Sequence, residues 1–133
     1  MIKRLTILYI LLLLLILVLV DTGNHKQIYW LVKKIPFGDK IGHFLLMGTL
    51  SFFVNMALNL RSFHLWGRDI LLGTSLLFLI FTLEELSQGF LPHRTLSVQD
   101  WIANTLGIVL AGMLAKRLYP RFTRSSSSYT PDN

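Results

Sequence analysis

Apolar residues gather into four long runs, and short polar segments separate the runs. None of the runs contains Asp, Glu, Lys or Arg, and they cover residues 5–20, 41–60, 70–83 and 101–115. A helix needs roughly 20 residues to cross the hydrocarbon core of a bilayer. With their flanking residues, the runs predict helices over about 3–20, 40–60, 69–89 and 97–119. The pattern therefore predicts an all-α, integral membrane four-helix bundle.

The basic residues near the helix ends predict the orientation of this bundle. If the N-terminus is cytoplasmic, eight Lys and Arg residues fall in the inner segments and five in the outer segments. The positive-inside rule favours this arrangement, with both termini cytoplasmic and the chain a multi-pass protein of the inner (cytoplasmic) membrane. No small-residue cleavage site precedes Asp21, so residues 1–20 are expected to remain as the first helix rather than to be removed as a signal peptide.

The remaining segments complete the expected organisation. Residues 1–124 form one predicted domain, and the polar, serine-rich segment 125–133 is expected to be disordered. Apolar residues at helical spacing in the first outer loop, 21–40, predict a short helix on the membrane surface. Residues 61–69 are expected to form a short inner loop. The chain has no cysteine, which excludes disulfide and thiolate chemistry.

The net charge of +6 has a clear origin in this topology. It follows from the surplus of basic residues on the cytoplasmic side, so the expected partner is the lipid bilayer and no nucleic-acid partner is predicted. The sequence does not specify an oligomeric state.

Most of the polar residues that could take part in binding or catalysis fall at the outer ends of the predicted helices. Ionisable groups at a membrane are costly unless they are paired or hydrated, so their grouping requires an explanation. The second helix begins with some of them, the third ends with others, and the rest lie in the loop and first turn that follow. They are Asp39, Lys40, His43, Glu85, Gln88, Arg94, Asp100 and Asn104. The topology predicts that they converge in one outer polar cluster.

Three motifs in this region carry a resemblance to a known family. They are DKxxH at 39–43, ExxQxFxPxR at 85–94 and SxxDxxxNxxG at 97–107. In this order and spacing they are similar to the VanZ-like family of small bacterial membrane proteins, over roughly residues 39–115. His93 stands where the family pattern has glycine. The resemblance implies a four-helix protein of the cell envelope, in a family whose founding member is linked to teicoplanin resistance.

The first hypothesis is that the cluster binds or remodels an envelope component. Arg94 and Lys40 would hold an anionic group, such as a lipid phosphate or a peptide carboxylate, because guanidinium and ammonium groups suit such anions. Glu85, Gln88 and Asn104 would orient the polar parts of the ligand. A lipid-linked or peptidoglycan-precursor ligand fits this hypothesis.

The second hypothesis is an intramembrane enzyme that acts on a similar substrate. His43 with Asp39 or Glu85 would form a general acid/base pair, and Arg94 would stabilise developing negative charge. Asp39, His43, Glu85 and Asp100 form a donor set for a divalent metal. No signature such as HExxH is present, so neither a metal nor another cofactor is assigned.

The third hypothesis assigns the same residues to structure. Asp39 and Ser97 would cap helices, and Asp100 would complete a capping box with Ser97. Glu85 would form a buried ion pair with Arg94 or His43 that specifies helix register. Each residue fits this role alone, whereas their convergence at one depth favours a binding site.

Small residues predict how the second and fourth helices pack. The fourth helix carries Gly107, Ala111 and Ala115 on the stripe of Asp100 and Asn104. Small residues at this spacing allow two helix backbones to approach closely. The stripe of the second helix, formed by Gly48, Ser51 and Asn55, suits the same close packing or an interhelical hydrogen bond. We therefore expect the fourth helix to pack along its stripe and to direct its polar end inward.

Overall fold

The computed structural model describes residues 1–21, 30, 34–90 and 97–127, and within them the chain is mostly helical. The elements, in order, are α1 (Ile2–Asp21), α2 (Gly38–Ala57), β1 (Ser62–Leu65), β2 (Arg68–Leu71), α3 (Leu72–Gln88) and α4 (Val98–Ser127). The mostly helical architecture predicted from the apolar runs is confirmed. The predicted surface helix of the first outer loop falls almost entirely outside the described residues.

The segment predicted to be a plain inner loop is instead a β-hairpin. β1 and β2 pair antiparallel, with His64 opposite Asp69. The two-residue turn between the strands consists of Trp66 and Gly67, which have φ of 50° and 73°. Two consecutive positive φ angles are typical of a type I′ turn, whose twist matches that of the paired strands. Because residues 62–71 form this hairpin, α2 ends at Ala57 and α3 begins at Leu72, so both are shorter than predicted.

The fourth helix is longer than predicted. It continues through Pro120 to Ser127 and includes the first three residues of the segment expected to be disordered. A proline inside a helix lacks the amide hydrogen that would bond the carbonyl four residues earlier, here that of Lys116. The rest of the tail, 128–133, lies outside the described residues.

Glycines bring α2 and α4 into close contact at one crossing point. A Cβ atom added to Gly48 would lie 3.3 Å from the carbonyl oxygen of Gly107, and one added to Gly107 would collide with the carbonyl oxygen of Phe44. Farther along α4, Ala115 is fully buried. This is the packing that the small-residue stripes predict.

A buried hydrogen-bond network joins three helices beyond this crossing, toward the C-terminal end of α2. The Asn55 amide nitrogen donates to the Ser51 carbonyl at 2.9 Å and to Thr74 Oγ1 at 3.0 Å. The Asn55 amide oxygen accepts from the Thr74 backbone at 3.2 Å. Ser51 Oγ donates to the carbonyl of Ile108 at 2.7 Å. The network therefore links α2 to α3 and to α4, and it fulfils the interhelical hydrogen bond expected of Asn55.

Polar side chains lie inside this bundle, while many large apolar side chains lie outside. Among the described residues, the buried polar or charged ones are Thr6, Ser51, Asn55, Glu85 and Asn104. Exposed leucines, isoleucines and other large apolar residues line α1, α3 and α4. An apolar solvent offers no hydrogen bonds, so polar groups are best satisfied inside a bundle placed in it. The distribution is typical of helices in apolar surroundings.

Within the part of the chain that the structure describes, one helix meets both the length and the hydropathy needed to cross a membrane. It is the 23-residue stretch Val98–Pro120, with a mean hydropathy of 1.3 over its best window. Only 28% of that window is buried inside the protein. Most of this apolar helix is therefore free to contact lipid.

Candidate functional site

The first turns of α2 and α4 meet in an ion-pair cluster. Lys40 Nζ lies 2.9 Å from Asp39 Oδ2 and 2.5 Å from Asp100 Oδ1. The Lys40 ammonium and the Asp100 carboxylate form an ion pair, but the geometry of this contact is not that of a hydrogen bond. Asp39 and Lys40 begin α2 and Asp100 begins α4, so the close helix crossing brings the two helix starts together. With two carboxylates and one ammonium, this trio keeps a surplus negative charge.

His43 lies beside this trio, one helical turn after Asp39. Its Nε2 atom is 3.8 Å from Asp39 Oδ1, which is too long for a hydrogen bond. Ligand atoms of Asp39, His43 and Asp100 lie within 4.8 Å of one another, which is a donor set suited to a divalent cation. The Lys40 ammonium lies between the two carboxylates, so a metal would have to displace it. Glu85, the fourth member of the predicted metal set, is not part of this group.

Glu85 is buried at the junction of α3 and α4. Its exposed fraction is 5%, and its Oε1 atom accepts a hydrogen bond from the backbone amide of Ser97 at 2.7 Å. Ser97 Oγ in turn accepts from the backbone amide of Asp100 at 3.3 Å. Ser97 is therefore the N-cap of α4, as expected. Glu85 accepts from the amide of the N-cap residue, which is the bond that Asp100 was expected to accept in a capping box, while the Asp100 carboxylate pairs with Lys40.

Two further structural roles predicted for site residues are corrected. Asp39 does not cap α2, because the N-cap position belongs to Phe37, with φ of 59° and no side-chain cap hydrogen bond. Asp39 lies inside the first turn, where its charge complements the helix dipole. The structure shows no pair between Glu85 and His43, because Glu85 instead accepts a hydrogen bond from the Ser97 amide; the alternative partner, Arg94, lies outside the described residues.

These contacts form a continuous polar path across three helices. It runs from Glu85 on α3 through Ser97 and Asp100 on α4 to Lys40 and Asp39 on α2. The predicted convergence at one end of the bundle therefore holds for the residues that the structure describes. Arg94 and the side chain of Gln88 lie outside them.

Asn104 lies one turn after Asp100 on the same face of α4. Its exposed fraction is 5%, and its side-chain oxygen has no hydrogen-bond partner among the described residues. Leaving a buried acceptor without a donor costs about 1–3 kcal/mol. The Asn104 oxygen is therefore available to a donor that a ligand supplies.

Sequence analysis missed an aromatic residue, Trp101, that lies near Glu85 between α3 and α4. Trp101 Nε1 donates to Thr82 Oγ1 at 3.0 Å, and its ring lies 6.0 Å from that of Phe78. A cavity of about 220 Å³ lies between these helices and is lined by Thr82, Glu85, Leu86, Val98 and Trp101. Trp101 follows directly after Asp100, and a tryptophan at the start of an apolar helix was the available signal.

A larger apolar groove of about 440 Å³ runs along the seam between α2 and α4. Gly48, Gly107 and Ala111 contribute small residues to its lining. Large side chains complete its walls, including Phe44, Phe52, Leu110, Leu114 and Leu118. The helix backbones approach closely at the glycines, and the large side chains lie on either side of this contact.

The comparisons with known proteins agree with the resemblance carried by the motifs. A family model described as VanZ/LLP1 matches residues 5–119, which include most of α1 and α4, all of α2 and α3, and the whole polar path. No curated protein and no solved structure matches the chain. The family match and the apolar helix Val98–Pro120 together indicate a membrane protein. The chain belongs to the VanZ/LLP1 family.

Proposed function

We propose that the protein binds the charged part of a bacterial envelope component through the polar path at the outer end of its helices. The observation that carries this proposal is the ion-pair cluster of Asp39, Lys40 and Asp100, which two helices build jointly and the buried Glu85 supports. A lipid-linked molecule or a peptidoglycan precursor is the class of ligand, and glycopeptide (teicoplanin) resistance is the proposed consequence.

The proposed setting is the inner membrane, with four spans and both termini in the cytoplasm. Two observations support it. Exposed apolar side chains line three helices whose polar residues turn inward, and the basic residues are in excess on the proposed cytoplasmic side. The cluster would then face the outer surface, where peptidoglycan precursors are exposed.

The charges of the cluster suit a ligand that carries both signs. Lys40 is held between two carboxylates, so an incoming phosphate or carboxylate would exchange with one of them. The displaced carboxylate would then be free to pair with a cationic group of the ligand. The Asn104 oxygen would accept a hydrogen bond from an amide or ammonium donor. Arg94, predicted from its motif to act at the same site, would add a second cation.

Two neutral variants test this function. Glu85→Gln and Asp100→Asn preserve shape but remove charge, and Asp69→Asn in the hairpin is the matched control at the other end of the bundle. Bacteria that express the chain should lose teicoplanin resistance with either site variant and keep it with the control, at equal protein levels in the membrane. Full resistance with both site variants would rule out the proposed site.

Topology is tested separately with single cysteines, because the natural chain has none. Arg94→Cys should react with an impermeant maleimide added to intact cells, whereas His64→Cys should react only after the membrane is opened. Labelling of both from outside, or the reverse pattern, would contradict the proposed orientation.

A second candidate function is a metal-assisted or acid/base enzyme acting on the same class of substrate. The spacing of Asp39, His43 and Asp100 within 4.8 Å favours it. The purified protein should then retain a divalent metal, measured by elemental analysis, and His43→Ala should release it. Turnover of a defined precursor that survives His43→Ala would remove His43 from the acid/base role.

A further inference from the structure

We propose that the groove between α2 and α4 holds one acyl chain of a phospholipid, whose amine-bearing head lies at the Asp39, Lys40 and Asp100 cluster. The inference rests on the proposed function and names the class of its ligand. Its starting point is that the apolar groove and the charged cluster belong to the same pair of helices.

Helix register aligns the groove with the cluster. Lys40 precedes Phe44 by one turn of α2, and Asp100 precedes Gly107 by two turns of α4, so each charged residue shares a helix face with a residue that lines the groove. The Lys40 and Asp100 ion pair therefore lies at the end of the groove that is nearest the starts of α2 and α4. A molecule with a charged head and a hydrocarbon tail matches this order of polar and apolar surface.

The groove extends from near the cluster deep into the helix pair. Its lining on α2 runs from Phe44 to Phe53, four to thirteen residues after Lys40, which at about 1.5 Å per residue is roughly 6 to 20 Å along the helix. Its lining on α4 runs from Gly107 to Leu118, seven to eighteen residues after Asp100, or roughly 10 to 27 Å. The hydrocarbon core is about 30 Å thick, so an acyl chain that starts at the cluster would follow the groove to and beyond the middle of the membrane.

The surplus charge of the cluster selects among phospholipid heads. Lys40 would contact the phosphate, and the two carboxylates would contact a primary ammonium. Asp39 is the more exposed carboxylate, with 59% of its side chain accessible, so it can receive the ammonium once the phosphate pairs with Lys40. Phosphatidylethanolamine carries both groups, whereas phosphatidylglycerol carries only the phosphate charge. The cluster therefore favours phosphatidylethanolamine.

Native mass spectrometry of the full-length protein in detergent tests this inference, with equimolar phosphatidylethanolamine and phosphatidylglycerol added. The wild type should retain phosphatidylethanolamine preferentially. Leu114→Trp, which fills the groove, should lower this retention roughly tenfold, or about 1.4 kcal/mol in binding free energy, because the indole would occupy space that the acyl chain needs. The matched control is Met113→Trp, the adjacent position of equal exposure that does not line the groove. It should bind as the wild type does.

A second variant separates head from tail. Asp39→Asn removes the carboxylate that receives the ammonium and should lower the preference for phosphatidylethanolamine over phosphatidylglycerol. Equal retention of the two lipids by the wild type would overturn the inference, as would equal retention by Leu114→Trp and Met113→Trp. A protein dimer that Leu114→Trp dissociates would assign the groove to a second copy and overturn it as well.

The proposed function can fail or survive independently. If Leu114→Trp abolishes lipid retention but Glu85→Gln and Asp100→Asn leave resistance intact, the lipid site stands and the proposed function fails. If the two charge variants abolish resistance while lipid retention shows no dependence on the groove, only the lipid inference fails.

Discussion

Two polar regions lie along the same pair of helices, and they differ in how completely their groups are bonded. In the Asn55 network, the amide donates to Ser51 and Thr74 and accepts from Thr74, and Asn55 is fully buried. In the ion-pair cluster at the starts of α2 and α4, Asp39 is largely exposed, the charges do not balance, and the nearby Asn104 oxygen has no partner among the described residues. A fully bonded network stabilises helix packing, whereas an incompletely bonded one retains capacity for a ligand.

The largest expected effect concerns the helix crossing on which both regions depend. In Gly107→Leu the new side chain would collide with the Phe44 carbonyl and separate α2 from α4. We expect the free energy of unfolding in detergent to fall by about 3 kcal/mol or more. The control is Gly42→Leu, where an added Cβ meets no atom within 4 Å. It should not destabilise, since leucine is favoured over glycine in a helix by nearly 1 kcal/mol. Equal stability of the two variants would contradict the close crossing.

The next prediction compares the two buried asparagines, Asn55 and Asn104. Asn55→Leu would leave the Thr74 amide and hydroxyl without their partner, and we expect the free energy of unfolding to fall by about 2 kcal/mol. Asn104→Leu removes a buried oxygen that has no partner among the described residues, so the free energy of unfolding should stay the same or rise, by at most about 1–3 kcal/mol, while ligand binding falls. Chemical denaturation of the two variants measures the difference. A greater loss in Asn104→Leu would assign that residue to structure instead.

A smaller effect is expected for the ion pair of Lys40 and Asp100. Lys40→Met should lower the free energy of unfolding by about 1 kcal/mol, because the Lys40 and Asp100 side chains are only partly buried. A double-mutant cycle with Asp100→Asn isolates the pair from other effects of each change. A coupling energy of zero would mean that the pair contributes nothing to stability. The control is Lys3→Met, a change at an exposed lysine.

The smallest effect lies in the hairpin, at the exposed pair of His64 and Asp69. The His64 Nδ1 donates to Asp69 Oδ1 at 2.9 Å and holds the pKa of the Asp69 carboxyl below its ordinary value. Because this pKa is lower in the folded chain, the pair's stabilisation is present above the ordinary carboxyl pKa and is lost as pH falls through the lowered value. Titration followed by NMR should show the Asp69 pKa rise in His64→Ala. An unchanged value would mean that the histidine does not perturb it.

The amino-acid sequence alone was sufficient to predict the mostly helical architecture, the family and the end of the bundle at which Asp39, Lys40 and Asp100 meet. Apolar runs report helices directly, and the small residues of α2 and α4 report close packing. The hairpin was not predicted because its tight turn places a tryptophan at positive φ, a conformation that this residue rarely adopts.

Tertiary structure alone decided the partners of the site residues. The sequence allows Glu85 to pair with His43, Arg94 or a backbone amide, and only the packing of α3 against α4 brings it to the Ser97 amide. That bond leaves Asp100 available to Lys40, and the helix crossing sets the distance between them. Spacing along a helix determines which face a residue occupies, whereas the choice among partners of similar chemistry depends on distances between helices.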